Sequence, residues 1–161
     1  MVVLLGFLRV FKVEAMAKYL LVAHQTAQAP ELLAVAKKLA AADAKAEFSL
    51  LVPATPIGNL LVWEEGETMD VAQSTAQSAA DSLERHGIKV VRVKVGDADP
   101  VLAVDDILRE EPYETIVLST LPIGISRWVK MDVVSRLRRQ HPALRVLHVI
   151  SETAPKPAAS Q

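Results

Sequence analysis

Five short apolar runs divide the chain, and longer stretches with apolar residues at every third or fourth position lie between them. The runs are YLLVA (19–23), FSLLV (48–52), VVRVKV (90–95), TIVLS (115–119) and RVLHVI (145–150). Runs of this length, bounded by small or polar residues, predict strands. Continuous apolar character predicts burial on both faces, as in a parallel sheet. Only VVRVKV alternates with charged residues, which marks a strand nearer an edge.

The stretches between carry helical spacing. Pro30 opens a segment in which Leu32, Leu33, Val35, Ala36, Leu39 and Ala40 share one face. Proline in a first helical turn gives up only an N–H that would be unpaired there. A long helix is predicted from about Met69 to His86, stopped by Gly87. Its inward face is small (Ala72, Ala76, Ala79, Ala80, then Leu83), which lets it lie close to a sheet. GDADPVLAVDDILREEP (96–112) is the clearest local signal, with Asp99 as N-cap and Pro100 as first helical residue. Val101, Leu102, Val104, Ile107 and Leu108 form its apolar face, and Pro112 closes it. A last helix is predicted over about Asp132 to Gln140. WEEGE (63–67) reads as an acidic loop, since nothing spaces its carboxylates round one ion.

Strands alternating with helices predict an α/β fold: a doubly wound, Rossmann-like, five-stranded parallel sheet with helices on both faces. Right-handed crossovers make 3-2-1-4-5 the expected strand order. The chain then reverses direction across the sheet between the first and fourth strands, and a ligand crevice is expected at their carboxyl ends. The loops bordering it are HQT (24–26) and STLPIGISRW (119–128), with PATP (53–56) as a side wall. The candidate binding residues are therefore His24, Gln25, Thr26, Ser119, Gly124, Ser126 and Arg127.

Composition narrows the picture. The length of 161 residues suits one domain, and 51% hydrophobic with 23% charged residues is a globular balance. A formal net charge of −1 gives no general pull towards nucleic acid or an anionic membrane. Residues 113–150 are locally basic, six Lys or Arg against Glu114 and Asp132. There is no cysteine, which excludes disulfides, thiolate nucleophiles and cysteine metal sites, and the expected setting is reducing and cytoplasmic. The four histidines show no pair at metal-ligand spacing. The apolar opening MVVLLGFLRVFKV is broken by Arg9 and Lys12 well short of a membrane span. Residues 1–15 are read as an apolar extension or an upstream start, 16–151 as one domain, and the proline-rich 152–161 as a disordered tail.

Three segments carry a family resemblance: YLLVAHQTAQAPELLAVAKKLA, VGDADPVLAVDDILRE and IVLSTLPIGISRWVKMDVVSRL. With them the chain resembles the universal stress protein family over roughly Lys18 to Ile150. The resemblance implies the doubly wound fold, a role in stress response and a homodimer through the fifth strand, Arg145–Ile150. It also implies ATP binding for many members, through Gly-x2-Gly-x9-Gly-Ser/Thr after strand 4. On this chain those positions fall on Ser119, Pro122, Asp132 and Val133, and all depart from the pattern. The acidic residue of such members after strand 1 falls near His24 or Gln25. Pro122 has no N–H to offer a phosphate. A carboxylate at Asp132 would oppose one by about 4 kcal/mol for charges ~4 Å apart at an effective dielectric near ~20.

The expected function is a regulatory stress-response module, homodimeric and non-enzymatic, without a cofactor. The alternative is an adenine-nucleotide binder with a rebuilt phosphate site, retaining AMP or ATP and with slow phosphohydrolase activity. Arg127, beside Ser126 and Gly124, reads either as an anion fork or as a solvated loop arginine. Asp132 reads as a helix N-cap and Trp128 as a packing anchor. Arg136, Arg138 and Arg139 read as cations at a helix C-terminus, remote from the crevice, and not as a nucleic-acid face. His24 and Ser119 end adjacent strands, and the test of a base–nucleophile pair is whether they meet.

Overall fold

The computed structural model describes residues 17–56 and 65–152. The element order is β1 (Lys18–Val22), α1 (Pro30–Ala42), β2 (Glu47–Pro53), α2 (Glu65–Arg85), β3 (Val90–Gly96), α3 (Pro100–Glu110), β4 (Thr115–Thr120), α4 (Arg127–Lys130), α5 (Val133–Gln140) and β5 (Arg145–Ile150). The strands form one sheet in the order β3-β2-β1-β4-β5, every pairing parallel. The predicted architecture and strand order hold. The apolar segment 1–15 and the tail beyond Glu152 lie outside the described residues.

Alternate residues of the central strands serve two cores. Leu21, Leu50 and Val117 face the side covered by α1 and α2, where Leu32, Ala36, Ala72, Ala76 and Ala79 are buried. Leu20, Val22, Ile116 and Leu118 face the side covered by α3 and α5, against Val104, Ile107 and Leu137. β3 is the edge its alternation predicts, and a bulge beside Phe48 leaves Val91 half exposed, at 50%.

The helix ends follow local chemistry. Asp99 accepts from the Val101 N–H at 2.9 Å, so α3 starts as its capping residue dictates. α2 ends where Gly87 takes φ +83°, a conformation that costs glycine nothing. The Ile88 N–H then returns to the Leu83 carbonyl and the Gly87 N–H to that of Glu84, closing the helix.

Four details depart from the sequence reading. Leu102 is 49% exposed, and Ala103 is buried in its stead, because the stripe of α3 facing the sheet runs through Val101, Ala103, Val104 and Ile107. Residues 65–67 open α2 and are not part of a loop. The predicted last helix is present as α5, but a short further helix, α4, precedes it, with Asp132 between the two at φ 55°, ψ 39°. Asp132 does hold the N-cap position, but its carboxylate makes no capping hydrogen bond, since a left-handed residue turns its side chain away from the first turn.

Candidate functional site

The carboxyl ends of β1 and β4 border a small cleft, partly open to solvent. It lies at the point where the strand order reverses. Six of the seven candidate residues line it: His24, Gln25, Thr26, Ser119, Ser126 and Arg127. Gly124 does not. It sits exposed on the turn beyond, and a side chain there would meet nothing within 4 Å.

The polar groups divide into satisfied and unsatisfied. Thr26 Oγ1 and Ser119 Oγ, 93 residues apart in sequence, lie 2.7 Å from each other and are buried. His24, 5% exposed, has both ring nitrogens buried with no hydrogen-bond partner among the described residues. Burial pushes its pKa below the ordinary histidine value, opposed in part by its own main chain. Ser119 therefore bonds to Thr26, and the base–nucleophile pair with His24 is not formed in this structure.

The far wall joins the loop after β2. Thr55 donates to the Ala98 carbonyl at 2.6 Å and accepts from Trp128 Nε1 at 3.1 Å. Trp128, 6% exposed, packs with Val133 and Leu137 in the core, so it is an anchor with one edge on the cleft. Arg127 Nη1 donates to the Pro56 carbonyl at 2.9 Å, which ties the loop after β4 to that after β2. Arg127 is therefore not a free solvated arginine.

Two main-chain donors of the loop after β4 are spent within the loop itself. The N–H groups of Ile125 and Ser126 both reach the Pro122 carbonyl, at 3.0 and 2.9 Å. Ser126 Oγ accepts the Val129 N–H at 3.2 Å and caps α4. That short helix went unread in the sequence, although a serine three residues ahead of a valine has the spacing of a cap. Asp132 is exposed and does not line the cleft, and Val133 is fully buried in the core. The expected clash between the Asp132 carboxylate and a bound phosphate therefore has no place here.

Thr55, Thr120 and Leu121 line the cleft without having been singled out. Thr55 belongs to the PATP side wall, and the other two follow directly on Ser119. Thr120 Oγ1 donates to the Leu121 carbonyl at 2.9 Å. Its single proton is thereby used, so His148 Nε2, 2.8 Å away, is the donor in that pair. Arg136, grouped above with the remote cations, instead reaches Asp99 Oδ2 at 3.2 Å, at the carboxyl side of the sheet.

No protein-family model matches the chain. No curated protein sequence matches it either. Solved structures do. A universal stress family protein from Burkholderia pseudomallei aligns over 82% of this chain and 94% of its own, at 18% identity and a TM-score of 0.54. One from Archaeoglobus fulgidus aligns over 86% of this chain and 97% of its own, at 14% identity and a TM-score of 0.57. A universal stress protein in complex with cAMP covers 86% of this chain and all of its own, at 14% identity and a TM-score of 0.55. The chain has the universal stress protein fold. The strand order read from the apolar runs and the fold implied by the three family-like segments thus coincide with solved relatives, while the identities reach no further than the fold.

Among the described residues no helix is long and apolar enough to cross a membrane, and no group of His, Asp and Glu could hold a metal.

Proposed function

We propose that the chain is a divergent universal-stress-protein-like regulatory module, cytoplasmic, non-enzymatic and homodimeric through β5, whose ATP-type phosphate site has been lost. The observation that carries the loss is the turn after β4. A phosphate loop works by presenting several main-chain N–H groups to the anion. Here Pro122 has none, and those of Ile125 and Ser126 close on the Pro122 carbonyl. Arg127 is the one charged side chain lining the cleft among the described residues, and a triphosphate brings several negative charges to it.

Equilibrium dialysis with labelled ATP and AMP, with and without Mg²⁺, tests the reading. One relative of the same fold is a complex with cAMP, so that nucleotide belongs in the same dialysis. No retention is expected. Micromolar retention of any of the three would overturn the loss and restore a nucleotide-dependent role.

A further inference from the structure

We propose that the cleft between the ends of β1 and β4 binds a small monocarboxylate carrying a neutral hydrogen-bonding group, with Arg127 holding the carboxylate and His24 the neutral group. This rests on the reading that the phosphate site is lost, and it names what the remaining chemistry selects.

His24 is the first argument. More than nine in ten buried polar groups have a partner, and each exception asks for an explanation. The imidazole of His24, a residue 5% exposed that lines the cleft, has both nitrogens unpartnered among the described residues and is such an exception. Desolvation favours its neutral form, which presents one donor and one acceptor. Hydroxyl and carboxamide groups answer that pair, and a second charge does not. Thr26 and Ser119 beside it share one proton between them, so a hydroxyl proton and lone pairs remain for a guest.

Charge and shape are the second. With His24 neutral, Arg127 supplies a single positive charge. Its bond to Pro56 fixes the guanidinium and uses one of its N–H groups, leaving the planar fork that suits one carboxylate. Trp128 and Leu121 offer carbon surface between the polar ends, and the Trp128 N–H is already spent on Thr55. One cation, one neutral pair and an apolar wall describe a small acid with a polar head.

The test uses the full chain, calorimetric titration and the imidazole ¹⁵N shifts of His24. The probes are lactate and 4-hydroxybenzoate, which space carboxylate and hydroxyl differently, with benzoate and phenol as partial analogues and AMP in parallel. At least one hydroxy acid should bind, roughly tenfold tighter than benzoate or phenol, and move the His24 signals. Arg127→Gln should remove the gain due to the carboxylate. His24→Leu should remove the gain due to the hydroxyl, while His24→Gln, a neutral donor and acceptor, should retain part of it. Thermal unfolding confirms that each variant is folded. If neither hydroxy acid binds, or both bind equally well to Arg127→Gln and His24→Leu, the proposal fails. Binding of AMP without either acid overturns it together with the lost phosphate site, whereas binding of none of the probes overturns this proposal alone.

Discussion

At the scale of single residues, His24 works against stability and Gly96 supports it. A buried polar group without a partner costs about 1–3 kcal/mol. His24→Leu is therefore expected to raise the stability of the ligand-free protein by about 1 kcal/mol or more, read from urea unfolding at neutral pH. A loss of that size would mean the imidazole is satisfied after all. The pH dependence carries the same sign. The unfolded chain takes up the His24 proton near the ordinary value of 6.5, the folded protein only at lower pH. Between the two the unfolded state binds more protons, so stability falls as pH drops below about 6.5. His148, lowered by burial and then by the charge of Arg138, adds in the same direction. His24→Leu should flatten part of that fall and leave the part due to His148. Gly96 is needed for space and not for backbone freedom. A Cβ there would lie 2.7 Å from Ala103 Cβ and 3.1 Å from Leu51 Cδ1. Gly96→Ala is expected to cost about 1–3 kcal/mol in the same assay. A neutral result would mean that α3 can shift away from β3 freely.

At the scale of elements, Asp99 joins two of them. One carboxylate oxygen caps α3, and the other pairs with Arg136 of α5. Asn keeps a cap and loses the charge, whereas Ala loses both. Asp99→Ala should cost about 1–2 kcal/mol by loss of the cap. Asp99→Asn should cost less than about 1 kcal/mol, the usual worth of a part-exposed ion pair. Equal losses on thermal unfolding would show that the cap contributes nothing. The sequence placed the start of α5 near Asp132 and missed only the short α4 before it. Val133 and Leu137 keep helical spacing, yet the Asp132 N–H bonds the Val129 carbonyl and its backbone turns left-handed, so the register restarts.

At the scale of the whole molecule, the proposed dimer turns on which groups of β5 face outward. The Arg145 N–H reaches Glu114 and that of Ser151 reaches Thr120, so odd-numbered residues of β5 face β4. With the period of two, the N–H groups of Val146, His148 and Ile150 face the open side. Two copies running antiparallel about a two-fold axis could exchange those bonds. Proline at Val149 would disturb the β4 ladder and leave the interface donors in place. Proline at Ile150 removes an outward donor near the strand end, and His148→Pro removes the central one. Both should shift the protein towards monomer by light scattering. A folded variant that stays dimeric would rule out β5 as the contact.

What the sequence determined by itself was local or periodic. Short apolar runs and the 3.6-residue period marked the strands and most of the helices, Asp99 and Gly87 marked helix ends, and alternation marked β3 as an edge. Because right-handed connections leave few topologies, those elements also implied the strand order and hence the place of the cleft. What the tertiary structure decided was which side chains meet there. Thr26 pairs with Ser119 across 93 residues, Arg127 with Pro56 across 71, and Arg136 with Asp99 across 37. No spacing rule reaches that far. A hydrogen bond needs its atoms placed to within a few tenths of an ångström. Only the packed sheet fixes that, and it is the same packing that leaves His24 buried without a partner among the described residues.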